Sequence, residues 1–140
     1  MNPDNVFWKM QRGELPQPNI ARTLGMEFVD IDIDQAQITT RFTINNEFTN
    51  PAGQVQGGII AAMLDDTMGP ALVATLEANQ FAPTLNLNVS FLRSGMPGVF
   101  TGKGKVLKKG RSICYLSGEL FDANNQLVAT ATATAKINAI

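Results

Sequence analysis

The chain contains 140 residues, of which 11 are basic, 12 are acidic and none is histidine, and its formal net charge is −1. This length is typical of one domain, so we expect a single domain over residues 1–140 whose core needs no disulfide or metal. The near-neutral charge argues against a protein that binds nucleic acid through general charge.

The residue types that are missing restrict the chemistry. Without histidine, the chain has no Ser-His-Asp or Cys-His arrangement and no histidine base, and nearly every zinc site is excluded, so we predict no metal. The one cysteine, Cys114, cannot form an internal disulfide, which favours a reducing, cytoplasmic setting. No signal peptide is visible, and Asp65 and Asp66 interrupt the apolar run after Gly57, which argues against a membrane span.

Apolar periodicity predicts two short helical segments, then strands and one long helix. Asn2 is the candidate N-cap of the first helix, which Pro16 and Pro18 end, and the second segment ends at Gly25. The long helix is predicted over residues 57–78. Strands are predicted at residues 26–33, 37–42, 84–93, 99–107, 112–121 and 126–137.

Two of these strands have an informative alternation. In TLNLNVSFLR one face carries only apolar side chains, as in a half-buried strand: Leu85, Leu87, Val89 and Phe91. In LVATATATAKI alanines occupy one face and threonines the other, and Gly102 and Gly104 share a face of an earlier strand. Small residues let a helix lie close to a sheet. We therefore predict an α+β fold in which one antiparallel sheet wraps around the long central helix.

The start of the long helix is a candidate binding site. Gly57 and Gly58 supply backbone amides that have no partner within the helix and carry partial positive charge. Such amides can hold a carbonyl oxygen and stabilise an oxyanion. Alternatively, the glycines only ease the turn into the helix.

Asp65 and Asp66 are unusual in an apolar helix. Their side chains point about 100° apart, so at most one is expected to face a given pocket. Burial raises the pKa of a carboxyl group and makes the carboxylate a better base. Because the helix is apolar almost all round, we expect at least one of the two aspartates to be partly buried. A structural alternative is an aspartate that accepts hydrogen bonds from threonines of the sheet.

The spacing between the two candidate groups has a consequence. Gly57 and Asp65 are eight residues apart, which corresponds to about 12 Å along a helix axis. A reacting carbon has to lie about 3 Å from each group. If the two groups act together, they therefore come from different subunits, and a two-fold dimer contains two composite sites.

The motif formed by Asn50, Gly53, Gln56-Gly57-Gly58 and Leu64-Asp65, followed by Gly69, resembles the N-x-x-G-x-x-H-G-G…L-D motif of hotdog-fold acyl-CoA thioesterases. The phenylacetate-degradation type, related to 4-hydroxybenzoyl-CoA thioesterase, is the most similar subgroup. NVSFLRSGMPG and the last strands extend the resemblance over nearly the whole chain. It implies a hotdog fold and a homodimer with active sites at the dimer interface, often assembled as a dimer of dimers.

The resemblance also implies roles for individual residues. Asp65 is the general base or the nucleophile, and Asp66 is expected to be a supporting or exposed neighbour. The Gly57 amide of the other subunit polarises the thioester carbonyl, and Asn50 orients water or thioester. Gln56 stands where the family has a histidine; it can exchange hydrogen bonds but carries no proton at neutral pH. No cofactor is implied, since CoA is part of the substrate.

Basic residues suit the phosphates of CoA. Lys108, Lys109 and Arg111 flank a turn, and Arg93 ends another strand, so we expect these residues, with Gly58, to bind substrate. Lys103 and Lys105 are equally consistent with protection of an edge strand.

The sequence thus predicts hydrolysis of a small or medium acyl-CoA thioester, aryl-CoA included. The replacement of histidine by Gln56 leaves a second interpretation, a non-catalytic acyl-CoA binding or regulatory protein. A hotdog hydratase or dehydratase is disfavoured, because the members we know pair the carboxylate with histidine.

Overall fold

The computed structural model describes the whole chain from Met1 to Ile140. The helices are α1 (Val6–Gln11), α2 (Asn19–Thr23) and α3 (Gly57–Val73), with a short 3-10 helix at Asn46–Phe48. The strands are β1 (Glu27–Asp32), β2 (Gln37–Ile44), β3 (Gln80–Phe81), β4 (Thr84–Phe91), β5 (Gly98–Lys109), β6 (Ile113–Phe121), β7 (Leu127–Lys136) and β8 (Asn138–Ala139).

Six strands form one antiparallel sheet in the order β1-β2-β5-β6-β7-β4, and β3 pairs with β8. The long helix α3 packs against this sheet, mainly on β5, β6 and β2. This confirms the predicted α+β architecture of an antiparallel sheet around one central helix. None of the helices has the length and apolar content that crossing a membrane requires.

Small residues bring the sheet close to α3. A Cβ atom on Gly104 would lie 2.7 Å from the carbonyl oxygen of Thr67, and one on Gly118 would lie 2.9 Å from Cγ of Met68. The alanine face of β7 is buried against the same core: Ala129, Ala131, Ala133 and Ala135. The predicted small-residue faces therefore set the distance between helix and sheet, and Gly118 belongs to them as well.

Two helix boundaries differ from the prediction, and Asn5 contacts the chain at both. Asn5, not Asn2, is the N-cap of α1, because its side-chain oxygen accepts a hydrogen bond from the amide of Phe7 at 2.7 Å. The helix α3 ends at Val73 instead of residue 78. There the Asn5 side-chain amide donates to the carbonyls of Val73 at 2.6 Å and Leu76 at 2.7 Å. The buried Asn5 thus ties the N-terminal segment to the end of α3.

The other boundaries lie close to the predicted ones. The helix α1 ends at Gln11, before the prolines expected to end it, because the chain turns at Gly13 with a φ of +76°. Gly25, with a φ of +60°, follows α2 in the left-handed conformation typical of a helix end. The six strands of the large sheet begin and end within two residues of the prediction.

The strand β4 is less buried than its alternation predicts. It lies at the edge of the sheet and pairs only with β7. Leu87 and Val89 pack against the core, whereas Leu85 and Phe91 are 57% and 55% exposed. The prediction of a half-buried strand is therefore wrong for its two ends. The pairing register with β7 shifts between Thr84 and Asn86, so that Thr84 and not Leu85 pairs opposite the buried Ala135, and no strand covers the other side of β4 near Phe91.

Candidate active site

A cavity of about 440 Å³ lies between α3 and the N-terminal segment. Its apolar wall is built mainly from α1, β1 and α3 and includes Phe7, Met10, Phe28, Pro70 and Val73. Asp65 and Asp66 both line it, and we call it the aspartate cavity. Because Asn5 holds α1 at the end of α3, α1 forms one side of this cavity.

The expectation that at most one aspartate faces a given pocket is wrong. The cavity contacts α3 along one stripe, which consists of Ala62, Asp65, Asp66, Gly69, Pro70 and Val73. This stripe follows the i, i+3, i+4 spacing of an amphipathic helix face, which is about 100° wide. Two adjacent positions of such a stripe share one face, so both carboxylates meet the same cavity.

Asp65 is partly buried and is held by the sheet. The hydroxyl of Thr84, the first residue of β4, donates a hydrogen bond to Oδ1 of Asp65 at 3.1 Å. The structural alternative of a threonine partner is therefore present in the molecule. It does not compete with a catalytic role, because a carboxylate has two oxygens and the bond occupies one of them.

Asp66 is more strongly perturbed than an exposed neighbour would be. Its Oδ2 atom is buried and has no hydrogen-bond partner in the chain. Burial, and next the charge of Asp65, raise the pKa of Asp66 to about 6. Of the two roles expected for Asp66, the exposed neighbour is therefore excluded, whereas the supporting neighbour stays a prediction. Its place in the stripe of Ala62, Gly69 and Val73 is the sequence signal that could have indicated burial.

At the N-terminal end of α3, the backbone amides have no hydrogen-bond partner within the chain, as the glycine pair predicts. Gln56 is the N-cap residue, but its side chain makes no capping hydrogen bond. The amides of Gly57 and Gly58 donate to no group within the chain. Gly57 is partly buried and Gly58 is exposed. Both amides are thus available to an oxygen atom of a ligand.

Gly57 lines a second, shallower cavity of about 310 Å³, together with Phe91, Leu92 and Arg93, which we call the glycine cavity. A Cβ atom on Gly57 would lie 3.4 Å from the ring of Phe91. The glycine cavity and the aspartate cavity have no lining residue in common. One chain therefore does not bring Gly57 and Asp65 to the same cavity, in agreement with their separation along the helix.

Asn50 and Gln56 flank the loop that leads to α3. The side-chain oxygen of Asn50 accepts hydrogen bonds from the amides of Ala52 at 3.0 Å and Gln54 at 3.1 Å. Asn50 therefore shapes this loop, in which Gly53 has a φ of +79°. The amide of Gln56 donates to the carbonyl of Phe48 at 2.9 Å, while its exposed side chain is free.

The predicted CoA-binding residues fall into two groups. Arg93 lines the glycine cavity, and its guanidinium donates to Gln126 at 2.7 Å. The exposed residues Lys108, Lys109 and Arg111 lie at the opposite end of α3, where Lys109 Nζ donates to the carbonyl of Thr75 at 2.7 Å. Within one chain, the structure thus brings Arg93 and Gly58 to the start of α3 and does not bring the lysine cluster there.

Comparisons with known proteins identify the family of the chain. Residues 52–129, more than half of the chain, match the model of the thioesterase superfamily. A candidate esterase from Saccharolobus solfataricus is 33% identical over 101 residues, which cover 72% of this chain and 71% of the relative. A candidate esterase from Sulfurisphaera tokodaii is 32% identical over 108 residues, which cover 77% of this chain and 78% of the relative.

Two solved structures are also similar to this chain over most of its length. A candidate thioesterase from Ralstonia eutropha JMP134, described as a phenylacetic acid degradation-related protein, has 42% identity and a TM-score of 0.91, with 94% of this chain and 99% of that chain covered. The PaaI protein of the Escherichia coli phenylacetic acid degradation operon has 18% identity and a TM-score of 0.81, with 93% and 91% covered, and shares the fold. The resemblance to phenylacetate-degradation thioesterases is thereby confirmed. The chain belongs to the thioesterase superfamily, and it is a thioester hydrolase with the hotdog fold.

Proposed function

We propose that this thioesterase hydrolyses a small or medium acyl-CoA, aryl-CoA included, to the free acid and CoA in the cytoplasm. One observation carries the proposal: the partly buried carboxylate of Asp65 and the free amide of Gly57 line two separate cavities of the same chain. The apolar wall of the aspartate cavity suits an acyl group. The name of the Ralstonia relative supports an aryl group.

The reaction assigns one task to each group. Asp65 accepts a proton from a water molecule whose oxygen attacks the thioester carbon, or it attacks that carbon itself. The carbonyl oxygen gains negative charge, which the Gly57 amide of the other subunit stabilises. The C–S bond then breaks, and the thiolate of CoA leaves with the proton that Asp65 took from the water. If Asp65 is instead the nucleophile, the thiolate takes a proton from solvent, and a water molecule then hydrolyses the acyl–Asp65 anhydride to the free acid and restores the carboxylate. Asn50 and Gln56 orient the water or the thioester near the helix start.

A dimer completes this site. The edge of β4 is free, and its exposed apolar side chains Leu85 and Phe91 favour pairing with a second copy. Phe91 also borders the glycine cavity, and Thr84 of the same strand holds Asp65. Pairing along β4 therefore joins the surroundings of both groups. We expect two such dimers to assemble into a tetramer.

The residues proposed to bind CoA lie at the two ends of α3. Arg93 and Gly58 lie at the start of α3 and suit the region next to the thioester. Lys109, next to Lys108 and Arg111 in the chain, contacts Thr75 just beyond the end of α3, and the helix alone separates Asp65 from Val73 by about 12 Å. That distance suits the phosphates at the nucleotide end of CoA.

A panel of acyl-CoA and aryl-CoA thioesters, assayed by release of free thiol, tests the activity. We expect Asp65→Asn to lower kcat by about 100-fold or more, a typical effect of removing a general base. Asp34→Asn, which removes an exposed carboxylate in a turn, is the matched control. A wild-type protein as slow as Asp65→Asn on every thioester would refute the catalytic proposal.

Mixed dimers test the shared site. Gly57→Pro removes the amide donor at the first helical position, where proline is tolerated, and Gln56 already has the extended φ of −58° and ψ of 137° that precede a proline. Gly57→Pro and Asp65→Asn should each be inactive alone. After subunit exchange, half of the dimers are mixed and each has one intact site, so about a quarter of wild-type activity should return. No recovery despite proven exchange would mean that both groups act within one chain.

The second function, acyl-CoA binding without hydrolysis, is favoured by Gln56, whose free side chain cannot transfer a proton at neutral pH. Calorimetric binding of acyl-CoA with no thiol release would establish this function. In that case, Gln56→His should introduce turnover if this position alone separates the protein from an active thioesterase.

A further inference from the structure

The proposed reaction leaves one partly buried ionisable group of the site unused, the carboxyl group of Asp66. It lines the aspartate cavity beside Asp65, in the same stripe of α3. Its Oδ2 atom is buried and has no hydrogen-bond partner within the chain. Because this oxygen is out of reach of a substrate in the cavity, it influences the reaction through the charge of the group and not through contact.

Within the chain, no cation compensates the charge of Asp66 in the aspartate cavity. Apart from the two aspartates, every residue that lines the cavity is uncharged. The strands β3 and β4 contain no ionisable residue, and those of α1, α2 and β1 do not line the cavity: Lys9, Arg22, Glu27, Asp30 and Asp32. The charge of Asp65 is, after burial, the second cause that raises the pKa of Asp66. The charged neighbour that ionised Asp66 has in this cavity therefore carries the same sign.

The repulsion between the two carboxylates changes during the proposed reaction. Asp65 loses its negative charge in either of its two roles, because it takes a proton from water or forms a bond with the thioester carbon. The negative charge then appears on the carbonyl oxygen, which faces the Gly57 amide of the other subunit and not the aspartate cavity. A step that moves charge away from Asp65 relieves the repulsion from Asp66, so ionised Asp66 accelerates it.

We propose that Asp66 is a positioning residue that acts through Asp65, because its negative charge favours the transfer of charge from Asp65 to the thioester carbonyl. This inference rests on the proposed function of Asp65. A carboxylate that destabilises the fold while it accelerates the reaction is a known trade-off at active sites. Protonation of Asp66 removes the repulsion, so the rate of hydrolysis should follow the ionisation of Asp66.

The pH dependence of kcat/KM tests the proposal, since it reports the ionisable groups of the free enzyme. With an acyl-CoA that wild type hydrolyses, we expect kcat/KM to rise about tenfold between pH 5 and pH 8, with a midpoint at about pH 6. Asp66→Asn keeps the shape of the side chain without its charge, so its kcat/KM should stay at the lower level throughout. Asp34→Asn, which removes an exposed carboxylate in a turn, is the control and should retain the wild-type rise.

A merely structural role of Asp66 predicts a different result. Damage to the fold would lower kcat/KM by a similar factor at every pH and would lower Tm. We expect instead that Asp66→Asn equals wild type near pH 5, is slower at pH 8, and unfolds at a higher temperature than wild type at pH 8. A rise near pH 6 that persists in Asp66→Asn, or equal rates of the two proteins at pH 8, overturns the inference.

NMR titration of the carboxyl carbons measures the coupling of the two aspartates without substrate. In Asp65→Asn the pKa of Asp66 should fall below its wild-type value of about 6, because one of the two causes of its shift is removed. An Asp66 that titrates at the same pH in both proteins overturns the inference, whether or not the protein hydrolyses a thioester. The proposed function fails separately, if Asp65→Asn hydrolyses thioesters as fast as wild type.

Discussion

Replacing Asp66 by asparagine should stabilise the protein, and the gain should depend on pH. The pKa of Asp66 is raised from 3.8 to about 6, because burial and the charge of Asp65 disfavour the ionised form. The folded protein therefore holds this proton more tightly than the unfolded chain. The resulting stability is fully present below pH 3.8 and is lost as the pH rises through 6. Above pH 6, wild type has to keep a charged carboxylate in the cavity, whereas the variant does not.

The magnitude follows from the size of the shift. A shift of about 2.2 pH units corresponds to an upper bound of about 3 kcal/mol in the free energy of unfolding. Asp66 is only partly buried, so solvent screens the interaction, and we expect about 1–2 kcal/mol. For a chain of this length, that gain corresponds to an increase in Tm of about 3–8 °C at pH 8.

Thermal unfolding of wild type and Asp66→Asn between pH 4 and pH 8 measures this effect without any substrate. The difference in Tm should be near zero at pH 4 and should grow through pH 6. Asp34→Asn, which removes an exposed carboxylate in a turn, should change Tm little at any pH. An Asp66→Asn gain that is the same at both ends of the range, or absent at pH 8, would refute the electrostatic explanation, because an asparagine that simply packs better has no such dependence.

Two further predictions concern the fold that positions the site. Asn5→Ala removes the cap of α1 and the donor to two carbonyls at the end of α3, so the free energy of unfolding in urea should fall by about 3 kcal/mol. Asn2→Ala, at an exposed hydrogen bond to Glu77, should change it by less than about 0.5 kcal/mol, and equal effects would contradict the assignment. Gly104→Ala places a Cβ atom 2.7 Å from the carbonyl oxygen of Thr67 and should cost about 1–3 kcal/mol, whereas Gly58→Ala, with nothing within 4 Å, should cost far less.

Local patterns were sufficient for most of the fold. The alternation of alanine and threonine in β7 and the glycines of β5 predict a sheet that lies close to a helix, because side-chain direction along a strand depends only on position. The end of α3 is different. The carbonyl of its last residue, Val73, accepts a hydrogen bond from Asn5, which is 68 residues away in the chain, and no local pattern reveals such a contact. The exposed ends of β4 escaped prediction for a related reason, since alternation predicts which residues share a face and not whether another element covers it.

The candidate site likewise contains features that follow from helix geometry and features that depend on distant contacts. The free amides at Gly57 follow from helix geometry alone, and the separation of Gly57 from Asp65 follows from the rise per residue. The burial of Asp66 does not follow from helix geometry. It depends on α1, which forms one side of the aspartate cavity and which Asn5 holds at the end of α3. The sequence therefore predicts most reliably the site features that the geometry of α3 alone determines. Asp66 shares its cavity with α1 only because α1 packs against the end of α3, so a change in the N-terminal segment should alter the wall of the aspartate cavity while leaving Asp65 and Gly57 in place.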